Sequence, residues 1–493
     1  MITIKNRIVK EQPKFWNNCV FHPTDAVEDA WGKRILDRMS KDKAIDTIRI
    51  YAMLEDIVYI DMNGQLAYDF RVSDLRLDYL VECGYNLIIS YGGIPECISD
   101  CKHDMTSVSK NKTRYKGKMW NTSPPKDYTL WEEVCYIYTK HIVERYGIER
   151  VSEWRISCFN EPDLNWFFMA NTPQENIEER VSEYCKLYEG FSKGIERVSK
   201  KIVYGGPAWA SIVPFLEAFL KYVKENKIRL DFISMHNYGT DTGKLNKGGY
   251  FSVDDWIAHQ ELYMNILDKF GFSNTELIID EWGMSNAGFY NIEECPSLLS
   301  RETEVFSAYY IKLIYKIIEK NWKISKLAIC LSGQHEMTTD FSGFRNFFTL
   351  NFFAKPIYNA HILSSKLYSS LLISEVKNEN LYVIPTKNEN SQYAVLMSYS
   401  SEKFEQGIKD IYEELSFEEN LKGKEITIYC IDKNTNNPYR LYEKEKMSEP
   451  LSEADILSLR KEGQLKLMQK FIYDGNPIKL FFSANSTYFV EVK

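Results

Sequence analysis

The sequence predicts an α/β fold, a parallel (β/α)8 TIM barrel followed by an accessory C-terminal all-β, sandwich-like domain. Eight short apolar runs, separated by longer stretches with helical periodicity, predict the barrel. After about residue 368 the chain changes to short strands with polar turns between them, which predicts the second domain. A chain of 493 residues also exceeds what one hydrophobic core usually supports.

The apolar runs follow one another in the order expected of βα units. The predicted strands are 14–20, 45–51, 85–91, 152–159, 201–206, 231–236, 275–282 and 324–331. Amphipathic segments such as 129–147 and 302–321 lie between them, and Gly147 is the predicted C-cap of the first. Eight such units favour a closed barrel, enlarged by insertions, over a doubly wound sheet.

These patterns predict two domains. We expect a catalytic barrel over 14–367 and a β-sandwich-like domain over 368–493. The N-terminal residues 1–10 are a candidate additional strand of the second domain. For the second domain, the two expected roles are capping the barrel and building a homo-oligomer.

Composition limits the partners. The net charge is −8 and the sequence has no dense Lys/Arg stripe, which argues against nucleic acid and an anionic membrane surface. The start of the sequence has no signal-peptide-like apolar segment, and ten scattered cysteines fit a reducing compartment, so we expect a cytoplasmic protein. The 33 Tyr, 27 Phe and 10 Trp indicate either a surface that binds flat sugar faces or additional core aromatics.

No metal or cofactor site is predicted. Cys97, Cys101 and His103 are close in sequence, but no second Cys or His pair completes the spacing that zinc needs. The segment HEMTTD over 335–340 has Thr339 where a HExxH motif needs histidine.

Two glutamates follow predicted strands at informative places. Glu161 ends the fourth strand and Glu281 the seventh, and catalytic residues of such barrels lie at the C-terminal strand ends. Strands four and seven lie on roughly opposite sides of a narrow barrel, so the carboxylates can face each other. Two facing carboxylates are what glycoside hydrolysis requires. Asp280 should point to the other side of its strand and be structural, and Asp163 fits a helix N-terminus.

With these sites in place, the sequence resembles glycoside hydrolase family 39, in the larger clan A of retaining (β/α)8 glycosidases. That family includes β-xylosidases and α-L-iduronidases. The resemblance covers about 15–365 in order, plus the trailing β-domain. Its clearest segment is SPPKDYTLWEEVCYIYTKHIVERYGIERVSEWRISCFNEPDLNWFF over 123–168. Further matches include IDTIRIY, YGGP, DFISMHNYG, IIDEWG and FSGFRNFFTLNFFAKPIYNAH.

The resemblance implies roles for particular residues. Glu161 would be the acid/base and Glu281 the nucleophile. Asn160 would bind the sugar 2-hydroxyl, and Tyr238 would bind the nucleophile carboxylate. The other predicted substrate-binding residues are His236, Arg49, Trp120, Trp166, Trp282 and Glu336. For the aromatic residues, packing in loops or core is the alternative.

The chain also departs from the family. Phe159 replaces the usual Trp before Asn-Glu-Pro, and Tyr51 replaces a histidine that normally contacts sugar. Strand eight keeps only Glu336 and has no Trp, and Arg345 replaces a glycine. These departures affect positions that shape the sugar site, so they bear on specificity more than on reaction type.

We therefore predict a retaining double displacement without metal or cofactor. The predicted activity is that of an exo-acting β-xylosidase on short oligosaccharides. One alternative is another sugar, either a uronide, a β-glucoside or an α-L-arabinoside. For a uronide, Arg345 could pair with the carboxylate, although it could also be a solvent-facing loop residue. The alternative of a different class is a carbohydrate-binding barrel without turnover.

Overall fold

The computed structural model describes residues 1–21, 27–107, 119–288, 290–331 and 337–493. The strands within these ranges are β1 (Ile2–Glu11), β2 (Asn18–Phe21), β3 (Thr47–Tyr51), β4 (Val58–Ile60), β5 (Leu66–Tyr68), β6 (Asn86–Tyr91), β7 (Met105–Ser107), β8 (Met119–Asn121), β9 (Arg155–Cys158), β10 (Tyr204–Trp209), β11 (Phe232–Thr240), β12 (Glu276–Ser285), β13 (Ile324–Leu331), β14 (Ser370–Val376), β15 (Leu381–Lys387), β16 (Tyr393–Tyr399), β17 (Ile411–Phe417), β18 (Glu425–Ile431), β19 (Leu467–Ile472), β20 (Ile478–Phe482) and β21 (Ser486–Val492).

The α-helices in the same ranges surround the barrel or join the later strands. They are α1 (Ala30–Asp42), α2 (Arg71–Glu82), α3 (Tyr128–Tyr146), α4 (Ile148–Val151), α5 (Ile177–Glu196), α6 (Val213–Glu225), α7 (Thr242–Leu245), α8 (Val253–Phe270), α9 (Glu304–Lys320), α10 (Pro356–Ser365), α11 (Pro438–Lys444) and α12 (Glu453–Glu462). Gly147 ends α3 at a φ of 82°, and its N–H donates to the Val143 carbonyl. This is the C-cap that the sequence predicted.

Eight strands form a closed parallel barrel, as predicted. In chain order they are β2, β3, β6, β9, β10, β11, β12 and β13, and β13 pairs with β2 to close the ring. Helices follow the strands and bury their apolar faces against the ring, as in α5, where Tyr184, Tyr188 and Phe191 are buried. The C-terminal ends of all eight strands therefore meet at one mouth.

The first barrel strand differs from its prediction. It was expected over 14–20, but the strand is Asn18–Phe21. Phe15 and Trp16 are buried before it, and Trp16 Nε1 donates to the Ser364 carbonyl of α10. The apolar start of this run therefore packs against a helix, and regular strand pairing begins only at Asn18.

The remaining large sheet has nine strands in the order β19-β18-β21-β16-β15-β14-β1-β17-β20. The N-terminal strand β1 lies inside it, antiparallel to β14 and parallel to β17. Strand β16 is buried on both faces. Val395 and Met397 belong to the apolar cluster of this sheet, whereas Ala394 and Leu396 join the cluster that fills the barrel and its helices. Alternate residues point to opposite faces, so one face of the sheet packs on the barrel.

A buried carboxylate fixes this contact. Glu304 begins α9 and is fully buried. Its oxygens accept from Arg440 Nη2 at 3.0 Å, Asn437 Nδ2 at 2.7 Å and Gln406 Nε2 at 2.8 Å, all from beyond residue 400. Helix α9 of the barrel is thus hydrogen-bonded to the second sheet region.

No helix in the described ranges is both long enough and apolar enough to cross a membrane.

Candidate active site

A cavity of about 530 Å³ opens at the C-terminal ends of the barrel strands. Its wall includes Glu161 after β9, His236 and Tyr238 on β11, and Glu281 on β12. The two glutamates singled out by the sequence therefore share one cavity at the place where barrel chemistry occurs.

The chain leaves β9 through an unusual turn. Phe159 has a φ of 68° and Glu161 a φ of 46°, in the left-handed region that residues other than glycine seldom adopt. The Phe159 N–H donates to the Tyr91 carbonyl at 2.7 Å, and the Glu161 N–H donates to the Ala208 carbonyl at 2.9 Å. Bonds to both neighbouring strand ends hold this strained turn, which places Asn160 and Glu161 in the cavity wall.

An irregularity in β12 places two carboxylates on the same side. Met235 pairs with Ile279 and the next residue, His236, pairs with Glu281, so the register skips Asp280. Asp280 and Glu281 consequently both contact Arg49, at 3.1 Å from Nε and 2.7 Å from Nη1. The prediction that Asp280 points away from Glu281 was wrong, because strict alternation fails at a β-bulge.

Among the described residues, three protonated donors bind the Glu281 carboxylate. Oε1 accepts from Arg49 Nη1 at 2.7 Å and from the Tyr51 hydroxyl at 3.1 Å, and Oε2 accepts from the Tyr238 hydroxyl at 2.6 Å. Burial disfavours the charged Arg49 guanidinium, but Asp280, Tyr51 and Glu281 beside it raise its pKa overall. Burial raises the pKa of both phenols well above 10. All three donors stabilise an ionised Glu281.

His236 links the two glutamates. Its Nδ1 lies 2.8 Å from Glu161 Oε1 and 3.7 Å from Glu281 Oε2, and its Nε2 lies 3.6 Å from Asp280 Oδ1. Burial lowers the pKa of His236, but the negative charges of Glu281, Glu161 and Asp280 outweigh it and raise that pKa above 6.5. When His236 is protonated, its Nδ1–H donates to Glu161 Oε1.

The spacing of the carboxylates indicates a stereochemical course. One oxygen of Glu161, one oxygen of Glu281 and a ring nitrogen of His236 all lie within 4.8 Å of one another. Retaining pairs are about 5–5.5 Å apart, whereas inverting pairs are about 6.5–9.5 Å apart to admit a water molecule. The pair is close enough for one carboxylate to attack the carbon whose leaving oxygen the other protonates.

The same three side chains are a possible cation site among the described residues. However, both Glu281 oxygens already accept hydrogen bonds, and the Arg49 guanidinium supplies positive charge at 2.7 Å. Hydrogen bonds between protein groups therefore explain why these three side chains lie close together.

Asn160 is oriented by its oxygen. Oδ1 accepts from Arg49 Nη2 at 2.8 Å and from the Tyr51 hydroxyl at 3.2 Å. The amide N–H₂ is then the end that can donate to a substrate hydroxyl. Arg49 itself is fully buried beneath the cavity wall, so its contacts are with Asn160, Asp280 and Glu281.

The three predicted tryptophans lie at different depths. Trp166 is half-buried and lines the cavity together with Phe167. Trp120 lies behind the wall, with its ring packed against Tyr51 and Phe159 and its Nε1 donating to the Phe167 carbonyl. Trp282 is fully buried and stacks on Tyr310 at 5.7 Å.

Trp120 and Trp282 therefore fit the core-packing alternative, and neither ring lies in the cavity wall. Trp120 lies in β8, well after the barrel strand β6, and Trp282 follows the bulge in β12. Both rings pack in the core. Glu336, the remaining predicted residue, lies outside the described residues.

Arg345 and Asp163 are both buried. Arg345 is only 6% exposed, lines the cavity and lies over the Tyr238 ring at 5.2 Å from its centroid, so the solvent-facing alternative is wrong. Asp163 is fully buried and accepts three backbone N–H bonds from Ala210, Ser211 and Ile212, each at 2.9 Å. It joins the loops after β9 and β10 at the start of α6.

Comparison with known proteins agrees with this geometry. Residues 2–467 match the sequence profile of Glycosyl hydrolases family 39. The chain belongs to this family. A relative named "Beta-xylosidase" from Caldicellulosiruptor saccharolyticus is 32% identical over 233 residues, which are 46% of this chain and 44% of that protein. An "Alpha-L-iduronidase" from Canis lupus familiaris is 24% identical over 212 residues, 40% of this chain and 28% of that protein.

A solved structure extends the likeness to the whole fold of this family 39 protein. A monomeric β-xylosidase from Caulobacter crescentus CB15 superposes with a TM-score of 0.84 at 18% identity, over 100% of this chain and 99% of that one. The aligned part of the chain spans less than half the length of the curated relatives that it matches. The structural likeness establishes the architecture of a barrel with a β-domain.

Proposed function

We propose that this family 39 protein is a retaining, exo-acting glycosidase that removes a terminal sugar from oligosaccharides. The observation that carries the proposal is the pair Glu161 and Glu281, with oxygens within 4.8 Å in one cavity. Glu281 is bound by three donors that favour its charge, and Glu161 is bound to a histidine that can share a proton with it. Two carboxylates in different surroundings suit the two roles of this mechanism.

In the first step, a Glu281 oxygen attacks the anomeric carbon and the bond from that carbon to the leaving oxygen breaks. Glu161 donates its proton to the leaving oxygen, and a glycosyl ester forms on Glu281. His236 keeps Glu161 in place through the 2.8 Å bond at Nδ1. Asn160 binds a sugar hydroxyl with its amide group.

In the second step, water attacks the anomeric carbon and Glu161 takes up the proton that the water loses. The ester bond breaks and Glu281 leaves as a carboxylate, which Arg49, Tyr51 and Tyr238 stabilise. Two displacements at one carbon retain its configuration.

For the sugar we propose β-xylose, supported by the 32% identical relative named "Beta-xylosidase". The test is a panel of aryl glycosides carrying β-xylose, β-glucose, α-arabinose or α-iduronate, given to the wild type and to Glu281→Ala. Turnover of the xyloside that disappears in Glu281→Ala supports the proposal. Preference for another sugar rejects the xylosidase assignment. Sugar binding without turnover, unchanged in Glu281→Ala, supports a binding barrel instead.

A uronide is the second candidate, favoured by Arg345. This arginine is buried in the cavity wall, and a Cβ built at Gly288 would lie 2.8 Å from its Nη2, so glycine there makes room for it. A buried guanidinium pairs well with a carboxylate. If the substrate is a uronide, Arg345→Gln should lower kcat/KM for the uronide about 100-fold while affecting a pentoside much less. Equal losses on both sugars would exclude this role.

We further propose the domain limits 14–367 and 368–493, with Ile2–Glu11 counted in the second domain. The pairing of that strand with Ser370–Val376 and Ile411–Phe417 supports this division. The cytoplasmic location and a homo-oligomer stay predictions, which cell fractionation and sedimentation would test.

A further inference from the structure

Tyr51 is a residue of the site whose role the family resemblance does not supply. It ends β3, is 2% exposed and lines the cavity. Its hydroxyl lies 3.1 Å from Glu281 Oε1 and 3.2 Å from Asn160 Oδ1. An ionised carboxylate and an amide carbonyl can only accept, so the phenol is the donor, and its single O–H is shared between the two contacts as a bifurcated bond.

The position of the Tyr51 ring is fixed by its neighbours. Its backbone pairs with Ser90 of β6, and the edge of its ring meets Trp120 at 5.9 Å between centroids. The Arg49 guanidinium lies 5.1 Å from the ring centroid. A phenol held between a strand, an indole and a guanidinium cannot move away from Glu281 without disturbing all three.

Tyrosine differs chemically from the histidine usual at this position. An imidazole titrates near pH 6.5 and therefore changes its donor capacity within the working range of an enzyme. Burial and, next, the charge of Glu281 raise the pKa of Tyr51 well above 10. The hydroxyl therefore remains a donor at every pH at which the enzyme would work.

We propose that Tyr51 is a positioning residue for the nucleophile, a permanent third donor that acts with Arg49 and Tyr238 on the Glu281 carboxylate. The inference rests on the proposed function. The two phenols bind opposite oxygens, Tyr51 at Oε1 and Tyr238 at Oε2. They favour the ionised nucleophile before the first step and stabilise the carboxylate released in the second.

The test compares Tyr51→Phe with the wild type. This change removes the hydroxyl and keeps the ring, so the packing against Trp120 remains. Loss of a donor disfavours the ionised nucleophile, and the acid limb of kcat/KM should move to higher pH by about one unit. With a dinitrophenyl glycoside the first step is fast and the ester accumulates, so kcat and KM should fall together, by about 10-fold.

Two further variants separate a donor role from a packing role. Tyr51→His returns a donor and should recover part of the lost kcat, with one additional titration in its pH profile. Tyr91→Phe is the matched control, because Tyr91 ends the neighbouring β6 and is buried, with its hydroxyl 2.9 Å from Thr139 and outside the cavity. Its acid limb should equal that of the wild type.

An acid limb and kcat in Tyr51→Phe equal to those of the wild type would overturn the inference. If Tyr51→Phe does not fold, Tyr51→His decides, and an unaltered pH profile in that variant overturns it equally. If the wild type turns over no glycoside, the proposed function fails and binding replaces activity as the measurement. Calorimetry with a cationic imino sugar, which an ionised Glu281 attracts, should then show a pH dependence of Kd that shifts in Tyr51→Phe, and no shift contradicts the inference.

Discussion

The two ends of the barrel both carry charged pairs, but of different kinds. At the N-terminal end, Arg155 on β9 pairs with Glu276 on β12 at 3.0 Å, and the two side chains are 24% and 22% exposed. At the mouth of the barrel, further along the same β12, Asp280 and Glu281 share Arg49, with exposures of 0%, 10% and 0%. The first pair is one cation with one anion near water. The second is a crowded group of two anions and one cation, nearly all of it buried.

The difference in burial distinguishes an ion pair of the scaffold from charged groups that serve the chemistry of the site. A partly exposed pair costs little and contributes little, so a fold can place it wherever two strands begin. Buried carboxylates that share cations have a high desolvation cost, and such clusters are concentrated at functional sites. The mouth of this barrel therefore carries charges that stability alone does not require.

The largest difference in kcat/KM should separate the variants of two glutamates on β12. Glu281→Gln removes the attacking oxygen and should lower kcat/KM by about 10⁴-fold or more. The matched control Glu276→Gln lies at the first residue of β12 and should change kcat/KM by no more than about twofold, since its hydrogen bonds in the described ranges are to Arg155 and Ser325, away from the cavity. Steady-state kinetics on the best aryl glycoside measure both. Comparable losses in the two variants would remove the distinction between the barrel ends.

The acid/base should show the next largest effect. Glu161→Ala should lower kcat/KM by about 10²–10⁴-fold for a glycoside with a poor leaving group, which needs protonation. A dinitrophenolate leaves without protonation, so with that substrate the first step should be nearly intact. Azide should then restore kcat, because it attacks the ester without a base. A loss independent of the leaving group would contradict the assignment.

Two buried histidines should affect stability in opposite directions with pH. The pKa of His236 is raised above 6.5 by nearby carboxylates, so its stabilisation is fully present below pH 6.5 and is lost as pH rises through the folded value. Burial lowers the pKa of His361 to about 3, so its contribution is lost as pH falls below 6.5. Relative to the wild type, the melting temperature of His236→Gln should fall most in acid. That of His361→Gln should fall less in acid than at neutral pH. The same pH slope in both variants would contradict these surroundings.

The smallest effect should come from the partly exposed pair. Arg155→Ala removes one bond to Glu276 and should lower the free energy of unfolding by about 1 kcal/mol or less, with unchanged kcat. Urea denaturation at two salt concentrations measures it. A loss as large as that of a buried ion pair would mean that both barrel ends are equally critical.

Much of the fold and the two glutamates could be predicted from the sequence. Alternation of strands and helices predicts the barrel, and Glu161 and Glu281 stand where apolar runs end. The position of Asp280 could not be predicted, because a bulge skips one residue of the register and no local pattern marks it. Trp120 and Trp282 adjoin the site in sequence, but their rings turn into the core.

Long-range contacts explain the other differences. Arg345 follows the last barrel strand by fourteen residues, and its place over Tyr238 depends on the space left by Gly288. Tyr51 was recognised as a departure, but its bond to Glu281 joins residues 230 positions apart. Such contacts are set by how loops pack over the mouth, which composition and periodicity do not encode.

The most direct test of the central claim is to trap the intermediate. A 2-deoxy-2-fluoro glycoside of the sugar that the wild type turns over, with a dinitrophenyl leaving group, should slow ester hydrolysis enough for mass spectrometry. We expect one adduct per chain, on the peptide containing Glu281, and none in Glu281→Gln. An adduct on another residue, or none from an enzyme that hydrolyses the parent glycoside, would contradict the assignment of Glu281 as nucleophile.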